Sequence, residues 1–270
     1  MTIGTDLDAS LAGIQSNITA LQAQVAILMT AQGPQPPPQA VAAGFTKLIP
    51  GLSDEFTSAP DIGYGTNGHK WYSSLWYQPI AAPSAYTWDS KSILTINNAT
   101  LCTMSRDFSA GTTETAGYFE CLVRPTNWSA TWLFDLAHAQ NATNPCGEID
   151  IFETDGNTPD MLYQTIHSNT GGGGGAPDQY NMGKGSNVWN PTTLPGAFVG
   201  TWQKVGCLLV PGQNVQMFYN DAPTVSMAPY PSTSHPMFYI LDVAPGGISH
   251  TSGPAVGPVT MDVDWVRAWH

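Results

Sequence analysis

A short stretch of the chain, residues 147–154, carries three carboxylates, Glu148, Asp150 and Glu153. The residues between them are isoleucines and a phenylalanine, which favour a β-strand. Side chains alternate between the two faces of a strand, so Glu148 and Asp150 share one face and Glu153 is out of phase by one position. A single β-bulge at residues 151–152 would return Glu153 to that face, and bulges are over-represented beside active sites. The stretch therefore predicts three acids on one face of a bulged strand.

Acids gathered on one strand face repel each other, so a fold keeps them where a reaction or a cation needs them. Glycoside hydrolysis uses two carboxyl groups, of which one is kept protonated by its surroundings. A third acid between them would raise the pKa of one and hold the other by hydrogen bonding. A hard-cation site and a solvated strand face are the alternatives, but cation sites usually recruit oxygens from loops, and a solvated face would not alternate with large apolar residues. The pattern favours paired carboxylate catalysis.

The elements that would position these acids are short strands. Charged residues make up 10% of the 270 residues, and there are 27 glycines and 22 prolines, a composition typical of many strands and turns. Further strands are predicted where short apolar runs occur, at 93–96, 119–123, 205–210, 215–219 and 261–266. No long helical period follows residue 44, so we expect an all-β sandwich in one domain.

The first residues show a different, seven-residue period. Apolar side chains recur there at alternating spacings of four and three, the pattern of a coiled-coil helix, at Leu7, Leu11, Ile14, Ile18, Leu21, Val25 and Leu28. Gly33 and Pro34 would end this helix. A helix packed on the body of the domain is the alternative, but the strict period favours self-association.

The positions that flank this stripe are nearly all uncharged, so no pattern of ion pairs sets the partner. The mixed leucine, isoleucine and valine core is compatible with a dimer or a trimer. We expect a homo-oligomer through residues 7–28, a parallel trimer in preference to a dimer, because polar, uncharged helical stalks of this kind resemble those of phage tail and fibre proteins.

A proline-rich stretch separates the helix from the rest of the chain. Residues 33–39 read Gly-Pro-Gln-Pro-Pro-Pro-Gln, which predicts a semi-rigid extended spacer. The expected organisation is a coiled-coil segment at 1–31, a linker at 32–43 and a β-domain at 44–270. We expect no signal peptide, since no lysine or arginine precedes Lys47, and no apolar run is long enough to span a bilayer.

The charge balance excludes several classes of partner. The formal net charge is −12, which argues against nucleic acid or an anionic membrane surface. The same charge argues, more weakly, against a heavily sulfated substrate. The sequence contains neither a Gly-x-Ser-x-Gly nor a His-Glu-x-x-His motif, so it shows no serine-hydrolase elbow and no zinc-protease site.

The four cysteines, Cys102, Cys121, Cys146 and Cys207, form no Cys-x-x-Cys pair, which argues against a zinc or thioredoxin-like site. Four cysteines allow three sets of pairings, and the sequence does not choose among them. Cys102 and Cys121 fall on consecutive predicted strands and are candidates for a disulfide. Four buried free thiols are the alternative.

The run Glu-Ile-Asp-Ile-Phe-Glu at 148–153 resembles the Glu-x-Asp-x-x-Glu signature of glycoside hydrolase family 16, in the β-bulged form of its laminarinase-like members. Other segments resemble the strands that the family places around this motif, and together they span roughly residues 45–270; they lie at 54–56, 117–120, 130–134, 165–167, 238–247 and 261–267. The chain departs from the family pattern at Asp242, where relatives usually have Asn, and at residues 144–146, just before the motif.

The resemblance implies a concanavalin-like jelly roll in which a concave sheet forms the substrate cleft. It implies retaining hydrolysis, with Glu148 as the nucleophile, Glu153 as the acid and then the base, and Asp150 as an auxiliary acid between them. Catalysis of this kind requires no cofactor. In several relatives the position of Asp264 helps to hold a structural calcium ion, so a Ca²⁺ site is a further expectation there.

Sugar binding needs aromatic platforms for the pyranose faces, with polar groups at the rim. Trp132 lies in the segment that resembles the family's substrate-stacking segment, and Trp128 lies just before it. Trp76 and Trp202 are further candidates, although a jelly roll also buries tryptophans. His167 lies where the family carries a histidine after the catalytic strand, and we expect it at the site, with a core histidine as the alternative.

The expected function is endo-acting hydrolysis of β-1,3-glucan or mixed β-1,3/1,4-glucan. Hydrolysis of agarose or another galactan is an alternative within the same family. A non-catalytic, polysaccharide-binding jelly roll on a virion or surface appendage is another, although such a protein has no use for three acids on one face. We expect the protein outside the cell or on a virion, with a polysaccharide as its partner.

Overall fold

The computed structural model describes residues 10–22, 24, 33–141, 144, 147–154, 162–167, 198–227, 235–244 and 259–270. The chain divides into two compact units, Met1–Pro37 and Pro38–His270. The three acids that the sequence predicts to do chemistry lie in the second unit.

The first unit contains a helix, α1, at residues 10–22. The helix carries no charged residue, and four apolar residues of the predicted stripe are between 44% and 64% exposed on it: Leu11, Ile14, Ile18 and Leu21. The predicted helix is confirmed over these positions, and the remaining residues of the stripe lie outside the described part of the chain. Oligomer formation through this stripe stays a prediction.

Two sheets, with seven described strands each, make up most of the second unit. The acid-bearing sheet contains, in spatial order, β1 (Ile62–Gly63), β2 (Trp71–Tyr72), β5 (Thr100–Cys102), β13 (Met237–Val243), β7 (Ser129–Asp135), β8 (Glu148–Glu153) and β9 (Tyr163–His167). The opposite sheet contains β12 (Ala222–Met227), β11 (Val215–Tyr219), β10 (Gln203–Leu209), β6 (Gly117–Pro125), β14 (Thr260–Trp269), β4 (Leu94–Asn97) and β3 (Tyr86–Trp88). Neighbouring strands are antiparallel, except for the parallel pair β1 and β2.

Helical structure in the second unit is short. The described elements are α2 (Pro38–Ala42), α3 (Leu136–Gln140) and the 3₁₀ turns Pro50–Leu52 and Pro83–Ala85. The side chain of Asp135 caps α3 by accepting hydrogen bonds from the first backbone N–H groups of the helix. None of the described helices has both the length and the apolar composition needed to cross a membrane.

The core lies between the two sheets and follows from the alternation of side chains along each strand. Ile149, Ile151 and Phe152 of β8 are fully buried in it. Phe119 of β6 and Tyr239 of β13 meet across it, with ring centroids 6.5 Å apart. Burying side chains of this size stabilises the fold by about 1.5–3 kcal/mol each. The predicted all-β sandwich is confirmed, and its core determines which face of β8 the acids must occupy.

The second unit begins earlier in the chain than the sequence indicates. It starts at Pro38 rather than at residue 44, because α2 packs on the β-domain. Ala40 of α2 is fully buried in a cluster with Tyr118, Phe218 and Trp269. The last residues of the predicted linker therefore belong to the β-domain.

Cys102, Cys121 and Cys207 are buried free thiols. Cys102 lies in the acid-bearing sheet and packs on the side away from the core, whereas Cys121 lies in the opposite sheet and packs into the core. The disulfide between Cys102 and Cys121, one of the two expectations from the sequence, is therefore not formed. Burial raises the pKa of each of these two thiols to about 12, which keeps them unreactive. Cys146 lies outside the described residues.

Candidate active site

Strand β8 contains the bulge that the sequence predicts. In its pairing with β7, Trp132 lies opposite Asp150 and Thr131 lies opposite Phe152, so the register shifts by one residue between these pairs. The pairing of β8 with β9 shifts at the same place. The bulge at residues 151–152 is therefore confirmed.

The bulge brings all three acids to one face of the sheet. Each acid lies opposite a residue of β7 that packs on the side away from the core: Phe134 opposite Glu148, Trp132 opposite Asp150 and Ala130 opposite Glu153. Residues directly opposite each other in a sheet share a face, so the acids also point away from the core. Asp150 is 2% exposed, whereas Glu148 and Glu153 are half-buried. A buried acid thus separates two accessible ones.

Aromatic side chains cover the sheet beside the acids, and we call this cluster the aromatic floor: Trp76, Trp132, Phe134 and Phe238. The ring centroid of Trp76 lies 4.9 Å from that of Phe134 and 6.1 Å from that of Phe238. Trp132 packs edge-on against Phe134, with centroids 5.4 Å apart. An apolar floor with polar groups at its edge is the usual construction of a small-molecule site.

A fourth acid, Asp242 of β13, lies on the same face of the sheet. It is paired with Ala130, which is paired in turn with Glu153. The hydroxyl of Thr100 donates a hydrogen bond to Asp242 Oδ1 at 2.5 Å. Burial raises the pKa of Asp242 to about 6, although this hydrogen bond acts in the opposite direction. The carboxyl is therefore neutral in mildly acidic solution and charged above it.

Tyr77 connects this fourth acid to β8. Desolvation, followed by the negative charges of Asp242 and Glu148, raises the pKa of Tyr77 to about 12. Both carboxylates therefore act on one phenol, although much of the Tyr77 side chain is exposed. Neither Tyr77 nor Asp242 was predicted to lie in the site, and Asp242 stood out in the sequence only as a departure from the family pattern. The signal that could have found Asp242 is a lone carboxyl within the buried strand Met237–Val243.

The predicted aromatic residues fall into two groups. Trp132 and Trp76 belong to the aromatic floor. Trp128 is 1% exposed, so it offers no face to a ligand. Trp202 lies away from the floor, because the guanidinium of Arg124, in the opposite sheet, stands 5.2 Å from its ring centroid. Trp76 and Trp132 therefore lie in the aromatic floor, Trp128 is enclosed in the same cluster, and Trp202 lies elsewhere.

The last two predicted residues lie in different sheets. His167 is the residue of β9 opposite Glu148, and its side chain lies outside the described part of the structure. Asp264 lies in β14, where burial and the charge of Glu55 raise its pKa and Arg267 lowers it. Among the described residues, no group of three or more His, Cys, Asp or Glu side chains is arranged to hold a metal ion. Calcium binding at Asp264 stays a prediction.

No protein-family model matches the chain, but curated relatives do. Endo-1,3-1,4-beta-glycanase EglC from Rhizobium meliloti is 28% identical over 235 residues, which are 78% of this chain and 46% of the relative. Endo-1,3-1,4-beta-glycanase ExsH from the same organism is 26% identical over 235 residues, 80% of this chain and 46% of the relative. The chain thus spans about half the length of the curated relatives it matches.

Solved structures share the fold. The laminarinase catalytic domain from Thermotoga maritima gives a TM-score of 0.63 at 16% identity, over 83% of this chain and 97% of that chain. The endo-beta-1,3-glucanase from Pyrococcus furiosus gives a TM-score of 0.63 at 16% identity, over 84% of this chain and 95% of that chain. Porphyranase B from Zobellia galactanivorans gives a TM-score of 0.58 at 16% identity, over 83% of this chain and 92% of that chain. In fold, the chain is similar to laminarinases and to a glucanase of family 16, and in sequence it is similar to endo-1,3-1,4-beta-glycanases, which agrees with the resemblance seen in its motifs.

Proposed function

We propose that this chain is an endo-acting, retaining glycoside hydrolase that cleaves β-1,3-glucan or mixed β-1,3/1,4-glucan by double displacement. The observation that carries the proposal is the bulge in β8, which sets Glu148, Asp150 and Glu153 on one face beside the aromatic floor. The names of the relatives support the substrate class, since both are endo-1,3-1,4-beta-glycanases. The laminarinases of the same fold agree with it.

The reaction proceeds in two displacements. The Glu148 carboxylate attacks the anomeric carbon while Glu153 donates a proton to the departing glycosidic oxygen, and a glycosyl ester forms on Glu148. Glu153 then removes a proton from a water molecule, which attacks the same carbon and releases Glu148. Two inversions at one carbon retain its configuration.

The geometry of β8 has to bring the two reacting groups together. A retaining pair needs carboxyl groups ~5–5.5 Å apart, whereas an extended strand rises ~3.3 Å per residue. The bulge shortens the backbone distance between Glu148 and Glu153, and the length of the two glutamate side chains allows their carboxyl groups to come closer still. Asp150 lies between the two glutamates and is 2% exposed.

The aromatic floor supplies binding surface for the sugar rings. Trp76 is half-buried and offers the broader surface, whereas Trp132 is 8% exposed and offers a smaller one. Tyr77 and Asp242 supply polar groups that can bind sugar hydroxyls beside the acids. This arrangement combines apolar contact with a few fixed polar groups, as carbohydrate recognition requires.

Release of reducing ends from a panel of polymers tests the proposal: laminarin, mixed-linkage β-glucan, xyloglucan, agarose and κ-carrageenan. We expect turnover of laminarin or mixed-linkage glucan, and a fall in kcat on the order of 10³-fold or more in Glu148→Gln, because the nucleophile is lost. Glu114→Gln is the matched control, since Glu114 contacts His270 rather than the site. Activity that survives Glu148→Gln would overturn the assignment of the nucleophile.

Azide separates the roles of the two glutamates on an activated aryl β-glycoside. In Glu148→Ala, azide occupies the place of the nucleophile and should give the α-glycosyl azide. In Glu153→Ala, azide attacks the glycosyl ester instead and should give the β-glycosyl azide. NMR of the products measures the configuration, and the same anomer from both variants would contradict the two roles.

A galactan hydrolase is the second candidate function, and it is supported by the structural likeness to porphyranase B. Turnover of agarose in the panel, without turnover of laminarin, would favour it. Tight binding to one polymer without turnover of any would favour the non-catalytic reading.

The exposed stripe of α1 supports a further part of the proposal, self-association of the chain as a parallel trimer. Leu11, Ile14, Ile18 and Leu21 present apolar surface along one face of a helix without charges. A polysaccharide substrate also fits a protein that acts outside the cell or on a virion, which is the location we propose.

A further inference from the structure

A pocket lies at the far end of the acid-bearing sheet. Its volume is about 450 Å³, and its lining includes Tyr72, Trp76, Asn67, Arg106 and Asp107. This volume lies within the range of small-molecule sites, roughly 300–1,000 Å³. The pocket is therefore large enough to receive a sugar unit.

The pocket and the acids lie at opposite ends of one row of paired residues across the sheet. Pairing between neighbouring strands connects Asp150 to Trp132, Ile240, Cys102 and finally Tyr72, which lines the pocket. Strands lie ~4.8 Å apart, so four strand spacings put the pocket roughly 19 Å from β8. That distance corresponds to several sugar units. Trp76 belongs both to the pocket and to the aromatic floor, so a chain bound over the floor leads into the pocket.

The walls of the pocket are held in place by side-chain hydrogen bonds. The Asn67 amide donates to Ser109 Oγ at 2.6 Å and to Asp107 Oδ2 at 3.3 Å, which ties two loops together. His69 Nδ1 lies 2.7 Å from a carboxylate oxygen of Asp61, and this contact fixes the loop that carries Asn67. A pocket that is formed before the ligand arrives loses less entropy on binding.

Arg106 is the unusual residue of this pocket. The chain has three arginines, and two of them are paired with carboxylates: Arg124 with Asp262 and Arg267 with Glu55. Arg106 makes no hydrogen bond or ion pair with any residue that the structure describes. Its guanidinium is therefore available to a ligand.

The neighbouring acid does not occupy this guanidinium. The Asp107 carboxylate accepts hydrogen bonds from Ser109, Ser105 and Asn67, which hold its pKa well below the usual range. The carboxylate therefore stays charged, and its hydrogen bonds hold the loop in place. Arginine recognises a carboxylate through two parallel N–H···O bonds, whereas a neutral glucan has no group that needs a guanidinium.

We propose that this pocket is a distal subsite for a sugar unit that carries an anionic group, and that the Arg106 guanidinium binds that anion. The proposal rests on the glycoside hydrolase function proposed above and narrows its substrate to a β-glucan-type polymer with sparse acidic substituents. Sparse acidic substitution of the polymer agrees with the protein's net charge of −12, because that charge would repel a densely charged polyanion. A single anionic group, in contrast, can bind to the single guanidinium of Arg106.

Two derivatives of one β-1,3-glucan test the proposal: a lightly carboxymethylated polymer and a hydroxyethylated polymer of the same length and degree of substitution. We expect the wild type to have a kcat/KM about 10-fold higher for the carboxymethylated polymer, which corresponds to about 1.4 kcal/mol, because only that polymer offers the guanidinium a charge-assisted hydrogen bond. Arg106→Gln should bring the ratio of the two values close to one, and Arg106→Lys should restore part of it. Arg124→Gln, at an exposed arginine of the opposite sheet, is the control and should keep the wild-type ratio.

Binding to the Glu148→Gln variant separates this proposal from the hydrolase proposal. Calorimetric titration with the two polymers should show the same preference for the anionic one without turnover, and Arg106→Gln in that background should remove it. Hydrolysis of the neutral polymer without an anionic preference would overturn the subsite and leave the hydrolase. A binding preference that depends on Arg106 in a protein that hydrolyses neither polymer would leave the subsite and overturn the hydrolase.

Discussion

Asp242 links the chemistry of the cleft to the stability of the fold. Burial raises its pKa to about 6 from the ordinary value of 3.8, so at neutral pH the folded protein holds a buried charge that the unfolded chain would leave in water. A shift of about two units corresponds to about 3 kcal/mol. Because the pKa is higher in the folded state, this carboxyl stabilises the fold most below about pH 4, and the contribution is lost as the pH rises through about 6.

Asp242→Asn should therefore raise the free energy of unfolding by about 2–3 kcal/mol at pH 8 and change it little at pH 4, because asparagine keeps the shape but does not ionise. Urea unfolding at the two pH values measures the difference. Asp107→Asn is a control that should have the opposite effect, because hydrogen bonds lower the pKa of Asp107. It should lower the free energy of unfolding at pH 8. An equal gain at both pH values in Asp242→Asn would show that its charge is not the cause.

At the scale of residues, the sequence predicts the acids of β8 but not the groups that surround them. Glu148, Asp150 and Glu153 are marked by their spacing within one strand. Asp242 and Tyr77 approach them from distant parts of the chain, and such contacts leave no local pattern. Spacing also cannot tell an enclosed tryptophan from an accessible one, which is why Trp128, a predicted platform, is 1% exposed in the structure.

At the scale of elements, the bulge of β8 could be predicted because a regular strand would have been in conflict with itself. Strict alternation would have exposed Phe152 and turned Glu153 into the core, where an unpaired charge is strongly disfavoured. One extra residue resolves both problems, and Ile151 and Phe152 are indeed both fully buried. The mismatch between the order of polar and apolar residues and the strict alternation of strand faces is therefore what predicts the bulge.

Neighbouring substitutions on the two faces of β8 should have opposite consequences. Phe152→Ala leaves a cavity beside Phe198, whose ring centroid lies 5.7 Å away, and should lower the free energy of unfolding by about 3–5 kcal/mol. Glu153→Gln should change it by less than about 1 kcal/mol, because the side chain faces the cleft, yet should abolish turnover of the polymer. Denaturant unfolding and reducing-end assays on the same two proteins measure both effects. A large loss of stability in Glu153→Gln would mean that this side chain does not face the cleft.

At the scale of the molecule, the sandwich could be predicted, because many short strands without a helical period have few other ways to bury their apolar faces. The pocket with Arg106 could not, since its walls come from two loops joined by Asn67 and part of its lining is Trp76. The beginning of the second unit at Pro38 depends on burial of Ala40 beside Trp269. Such contacts exist only in the folded chain.

The stripe of α1 makes oligomer formation testable by one substitution. A short helix is marginal alone in water, and its apolar residues are buried if copies associate. Ile18→Asp should place charges in that interface and reduce the mass measured by light scattering from three chains to one. Ser16→Asp is the matched control, because it adds the same charge to the same helix at an exposed position outside the stripe, and it should keep the wild-type mass. An unchanged mass in Ile18→Asp would exclude the stripe as the interface.

Association would also change how the protein binds a polymer. A trimer presents three clefts to one chain, and linked sites bind a shared ligand more tightly than single sites do. Ile18→Asp should therefore weaken binding to long glucan by about 10-fold or more, while kcat/KM per site on a short oligosaccharide stays unchanged. Removal of residues 1–37, which leaves the unit that begins at Pro38, should have the same effect. An equal loss on short and long substrates would mean that the cleft itself has been damaged, since avidity acts only on ligands long enough to reach two sites.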